Sequence, residues 1–116
     1  MDADMIVLHN MDELFELDQN PNFAAVQTCI SNPAKTSSYP KYWKPENCPY
    51  THGENSDGHD LVYEHGRLFN SGLFVFHPNL VVFEQMIAAL NTWDLTDFIF
   101  ADQDFLNQFY RSSWKR

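Results

Sequence analysis

Apolar residues fall in short runs along the chain, divided by polar and proline-bearing stretches. Met5 to Leu8 is the first run and predicts a short strand or extended connector. Asn10 followed by Glu13 matches a helix start, a short polar cap with an acid three residues on. Leu14, Phe15 and Leu17 supply the apolar side of a brief helix ending near Asn20-Pro21. Phe23 to Ile30, mostly small and β-branched, predicts a buried strand.

From Ser31 to Arg67 the texture changes to Pro, Asn, Ser, Lys, Gly and His, with aromatics at Tyr39, Tyr42, Trp43 and Tyr50. A loop this long inside a compact domain is usually functional or disordered, and its aromatics favour partial order with a share in a binding face. Phe69 to Phe76 predicts a second strand, with Gly72 where another backbone or a ligand approaches closely. Pro78-Asn79 stops it, and Asn79 caps a helix whose Leu80, Phe83, Met86, Ile87 and Leu90 recur at helical spacing. Asp102 to Tyr110 predicts a further helix, with Phe105, Leu106 and Phe109 toward the core. Strand, long loop, strand, helix, helix is an α/β order.

The chain has 116 residues, enough for one small domain, and 44% of them are hydrophobic, as in a chain that buries a core. A net charge of −9 excludes nucleic acid and anionic membrane surfaces as partners, since phosphate binding needs clustered Lys and Arg. It also means that a diphosphate is repelled unless a cation sits between. No run is long enough for a transmembrane helix, and the first residues are charged where a signal peptide would be apolar. Cys29 and Cys48 could pair across a loop, but one bridge is not a disulfide scaffold and both read as reduced thiols; no Asn-x-Ser/Thr acceptor occurs. These features together point to the cytoplasm.

Three segments carry candidate chemistry. Asp2-Ala3-Asp4 places two carboxylates on one side of an extended segment, where hard oxygens can hold a divalent cation. With ten Asp in the chain, about one such pair arises by chance, and Asp102-Gln103-Asp104 is a second. The other two segments are Phe69-Asn70-Ser71-Gly72-Leu73-Phe74-Val75-Phe76-x-Pro78 and Phe100-Ala101-Asp102-Gln103-Asp104-Phe105-Leu106-Asn107. Asp104 reads as a surface residue. His52, His59 and His65 with Asp57 and Asp60 follow no standard zinc spacing and read as solvated loop.

In this order and spacing the three segments resemble glycosyltransferase family 8, the retaining group that contains glycogenin and galactinol synthase, and look nearest the galactinol synthase type. The resemblance covers nearly the whole chain apart from residues 31–67. It implies a partial nucleotide-diphospho-sugar transferase (GT-A-like) fold, a mixed sheet with flanking helices, with residues 1–116 the central to C-terminal part of one domain. It implies that Asp2 and Asp4 hold Mn²⁺ against the diphosphate of a UDP-sugar, with the Ala3 backbone near the ribose. Asn70, Ser71 and Gly72 would lie along the donor sugar. Asp102 and Gln103 would flank the anomeric carbon, Asp102 stabilising positive charge on the ring or acting as transient nucleophile. The acceptor would be a polyol or sugar hydroxyl.

The departures shape the expectation too. Only Met1 precedes Asp2, so the family's first nucleotide-binding strands are missing from this piece, and so is its C-terminal His-x-x-Gly-x-x-Lys-Pro segment. Ile99 stands where glycogenin-type members have a further Asp, which points away from that subtype. A piece cut from a parallel sheet exposes apolar edges open to self-association. The isolated chain is therefore expected to be marginally stable and to bind Mn²⁺–UDP weakly. The rival expectation is a catalytically inactive, truncated transferase-like module that acts by association; a stand-alone metal-binding domain needs more ligands than two acids.

Overall fold

Phe23–Gln27 (β1) and Phe69–Phe76 (β2) pair antiparallel, in a computed structural model that describes residues 1–17, 22–52, 68–111 and 113–116. Both strands are rich in aromatic or small apolar residues that suit a half-buried pleated surface. β2 has the predicted boundaries. β1 is shorter than predicted and alternates instead of being wholly buried: Phe23, Ala25 and Gln27 face inward while Val26 is exposed. Its pairing ends where the Thr28 N–H reaches Leu68 O at 2.9 Å. The β1–β2 pair supplies the antiparallel part of the mixed sheet that was expected. A parallel element persists as a bridge between Ala24 and Lys115, closed by Ala25 N–H to Lys115 O and Lys115 N–H to Phe23 O.

The pairing is irregular in a way that matters for the site. Phe23 opposes Phe76 and Ala25 opposes Phe74, yet Gln27 opposes Phe69. Two steps along β1 therefore span five along β2, and Asn70 to Leu73 are released from partnership with β1. Bulges of this kind re-aim side chains and free backbone groups beside functional sites.

Leu80–Thr92 forms helix α1 and Asp102–Phe109 forms helix α2. Asn79 caps α1 as predicted, its Oδ1 accepting from Val81 N at 2.9 Å and Val82 N at 3.2 Å. The apolar face of α1 is not core: Leu80, Phe83, Ile87 and Leu90 are all exposed, and Ala89 is its one buried residue. Helix α2 packs on β2 and buries Phe105 and Asn107. The core is aromatic, built from Phe23, Ala25, Phe69 and Trp114 with Phe74, Leu106 and Tyr110 against them. Phe23 stacks on Tyr110 with ring centroids 4.1 Å apart, and Trp114 meets Phe69 edge-on at 5.2 Å.

Other expectations are corrected. Met5 to Leu8 takes the connector form and lies exposed, with Ile6 and Leu8 more than four-fifths accessible. Asp12–Glu16 is a 3-10 helix with no buried residue. Asn10 does not close a capping box with Glu13; its amide exchanges two 2.9 Å bonds with Asp12. The helix end near Asn20-Pro21 lies outside the described residues. Of the long loop, residues 31–52 are ordered by two 3-10 helices, Pro45–Asn47 and Pro49–His52. Residues 53–67, with His59, His65, Asp57 and Asp60, lie outside the described part, as does the side chain of His52. Cys29 and Cys48 are joined, not separate thiols, with Cα atoms 5.1 Å apart. That pairing removes the reduced-thiol argument for a cytoplasmic location. No helix among the described residues is long and apolar enough to cross a membrane.

Candidate active site

The chain's first residues meet the freed part of β2. Asp2 N–H donates to Gly72 O at 2.8 Å. A Cβ built on Gly72 would stand 3.0 Å from Asp2 Oδ2 and 2.7 Å from Asn70 Oδ1. Glycine here meets the close approach anticipated from the sequence, and it is the missing side chain that admits the Asp2 carboxylate. The Asn70 amide is aimed by its neighbours: Oδ1 accepts from Gly72 N at 2.8 Å, and Nδ2 donates to Gln103 Oε1 at 3.1 Å. Gln103 Oε1 also accepts from Ser71 N at 3.2 Å. Asp2, Asn70, Ser71, Gly72 and Gln103 thus form one connected group drawn from three distant segments.

Asp2-Ala3-Asp4 is not extended as expected. Met5 N–H returns to Asp2 O at 3.3 Å, closing a turn. With Asp2 N–H anchored on β2 and Asp2 O accepting from Met5, the backbone reverses at once, so the two carboxylates are related by a turn and not by strand alternation. Asp2, Ala3, Asp4, Asn70 and Asp102 are all exposed, and the face opens to solvent. Among the described residues no three His, Cys, Asp or Glu side chains gather to hold a metal. Two carboxylates give hard oxygen donors that suit a divalent cation, whose other ligands must come from water and from the ligand itself.

Helix α2 presents its first turn to this group. Asp102 and Gln103 open it, and the Asp102 carboxylate makes no hydrogen bond or ion pair among the described residues. Ahead of it, Ala101 has φ 48° and ψ −110°, backbone that an L side chain adopts at a cost. Asp104 is not merely a surface residue: its Oδ2 accepts from Ile99 N and Phe100 N, both at 2.6 Å, and clamps that turn. The residue that pattern reading missed is Asn107. Its buried amide donates to Phe69 O and Gln103 O and accepts from Phe69 N, each at 2.8 Å, fastening α2 to the strand that bears Asn70. The signal was an amide on the inward side of a helix, beside Leu106.

The turn before α2 also meets the ordered loop. Phe100 stacks on Trp43 at 4.9 Å and meets Tyr39 edge-on at 5.1 Å. Burial pushes the Tyr42 hydroxyl above its ordinary value; the Trp43 indole N–H opposes this and the Asp104 carboxylate adds to it.

This small α/β unit brings an acidic turn, a freed strand and a helix start together on one open face. The glycosyl transferase family 8 model matches residues 1–116, and the chain belongs to that family. It is 32% identical over 115 residues to galactinol synthase 2 of Solanum lycopersicum, covering 99% of this chain and 32% of that protein. Galactinol synthase 3 of Arabidopsis thaliana is 32% identical over 120 residues, covering 99% of this chain and 33% of that protein. For galactinol synthase 2 of Ajuga reptans the identity is 31% over 115 residues, with 99% and 38% covered. The chain thus spans about a third of the length of the curated relatives it matches. No solved structure matches.

Proposed function

We propose that the chain is the donor-sugar segment of a metal-dependent, retaining hexosyltransferase of galactinol synthase-like type, moving a sugar from a UDP-sugar to a polyol or sugar hydroxyl. The observation that carries it is the convergence of Asp2, Asn70, Gly72 and Gln103 in a member of this family. Asp2 and Asp4 would hold Mn²⁺ at the diphosphate. Bound there, the ion supplies Lewis-acid neutralisation of charge on the departing UDP. The Ala3 backbone would lie near the ribose. Asn70 offers an exposed amide to sugar hydroxyls; Ser71, whose side chain is buried, would contribute by fixing Gln103 through its backbone N–H, and Gly72 keeps the space open. Gln103, already tied to Asn70, would orient the ring, while the unengaged Asp102 carboxylate faces the anomeric carbon as its charge partner or transient nucleophile.

A second reading, an inactive module acting by association, is supported by the exposed apolar residues of α1 and of the Met5–Leu8 connector. The two separate in a turnover assay with this chain placed in the matching third of a full-length relative, using UDP-galactose and UDP-glucose with and without Mn²⁺. Manganese-dependent transfer that Asp4→Asn and Asp102→Asn abolish supports the transferase. No transfer by a folded chimera sinks it in favour of the module.

A further inference from the structure

Residues 32–46 enclose an open concavity of about 410 Å³ whose charge runs against the rest of the chain. Lys35, Lys41 and Lys44 line it, three of the seven Lys and Arg in a protein of net charge −9, with Glu46 the one acid among its lining residues. The three ammonium groups have no ion-pair or hydrogen-bond partner among the described residues, and all three residues are exposed. Tyr39 and Trp43, half-buried, supply an aromatic wall.

The loop that carries these groups is a fixed structure. The Asn32 side chain and the Thr36 backbone exchange two bonds of 2.9 Å. Asn47 Nδ2 donates to Tyr42 O, Thr51 Oγ1 to Pro45 O, and Tyr50 Oη to Gln27 O. The Cys29–Cys48 link ties its far end to the end of β1. The wall itself is wedged by Phe100, two residues before Asp102. The frame fixes the backbone from which the lysines project, so only their side chains have to be ordered when a ligand arrives.

We propose that this concavity binds a phosphorylated polyol or sugar phosphate, with the lysines on the phosphate and the Tyr39–Trp43 wall against the ring. Ammonium groups act as point charges for phosphate, and the volume falls within the ~300–1,000 Å³ of small-molecule sites. Three lysines on so acidic a chain are too few for a nucleic-acid backbone. That this ligand is the acceptor rests on the transferase reading above; that it binds does not.

The test is calorimetric titration of the full chain, without Mn²⁺ or nucleotide sugar, using myo-inositol 1-phosphate, myo-inositol and inorganic phosphate as probes. The polyol phosphate should bind at least about tenfold more tightly than either other probe. The triple variant Lys35→Ala/Lys41→Ala/Lys44→Ala should lose at least about tenfold in that affinity, whereas Arg111→Ala should not. Equal binding by the triple variant overturns the proposal, as does inorganic phosphate or unphosphorylated inositol binding as tightly as the polyol phosphate. Turnover of nucleotide sugar is read separately, so failure here leaves the donor site standing and failure there leaves this one.

Discussion

The Asn107 side chain serves as a strand for Phe69: its amide accepts from Phe69 N and donates to Phe69 O, both at 2.8 Å and both buried. Phe69 is wholly buried and starts the strand that carries Asn70, Ser71 and Gly72. A third bond, to Gln103 O, makes one amide set the position of α2 and of the strand together. Replacing Asn107 with Leu leaves two buried backbone groups unpaired, at about 1–3 kcal/mol each. In urea denaturation the midpoint should fall by a large fraction, because a domain of this size holds only about 5–15 kcal/mol in all.

Gly72→Ala separates folding from binding. Its Cβ would meet the ends of two movable side chains, Asn70 and Asp2, and no backbone atom is among its nearest contacts. The chain should fold with a loss of about 1 kcal/mol or less. To make room, Asn70 must swing away from Gln103, so affinity for a metal–UDP-sugar probe should fall by about tenfold or more, as read by titration. Unchanged affinity would mean that Asn70 does not face the donor.

Ala101 offers a gain. Glycine adopts φ 48° without penalty, whereas alanine does so under strain. Ala101→Gly should stabilise the chain by about 1 kcal/mol, raising the melting temperature by roughly 4–8 °C for a domain of this size. Asp104→Ala should act in the opposite sense, because Ile99 N and Phe100 N lose their shared acceptor. Thermal melts of both variants check the pair.

Burial raises both tyrosine hydroxyls, Tyr42 and Tyr110, above their ordinary value of 10.0. A raised group binds its proton more tightly in the folded chain. Its contribution is complete below the unfolded pKa and is lost as pH climbs through the folded one. Stability should therefore fall above about pH 10, with tyrosinate absorbance rising late relative to a free tyrosine standard. Tyr110→Phe should lessen the fall.

The sequence disclosed the elements whose local chemistry is self-contained. β2, the Asn79 cap and α2 follow from a run closed by Pro78, a capping amide and helical spacing. Gly72 was legible because a glycine within a strand has few other uses. What depends on distant partners was not legible. The antiparallel pairing of β1 with β2, the release of Asn70 to Leu73, and the turn that binds Asp2 to Gly72 are decided across the chain. The spacing of Cys29 and Cys48 allowed a bridge without favouring it, since a single pair has no pattern to match. The apolar stripe of α1 suggested burial, yet no described element covers it.

Manganese titration followed by amide NMR tests the central claim on the chain as it stands, because paramagnetic broadening registers even weak, rapidly exchanging sites. With UDP present, traces of Mn²⁺ should first erase the signals of Ala3, Asp4, Ser71, Gly72 and Gln103, and Asp2→Asn should protect them. Broadening that begins around Asp12, Glu13 and Glu16 while the Gly72 signal survives would contradict the account.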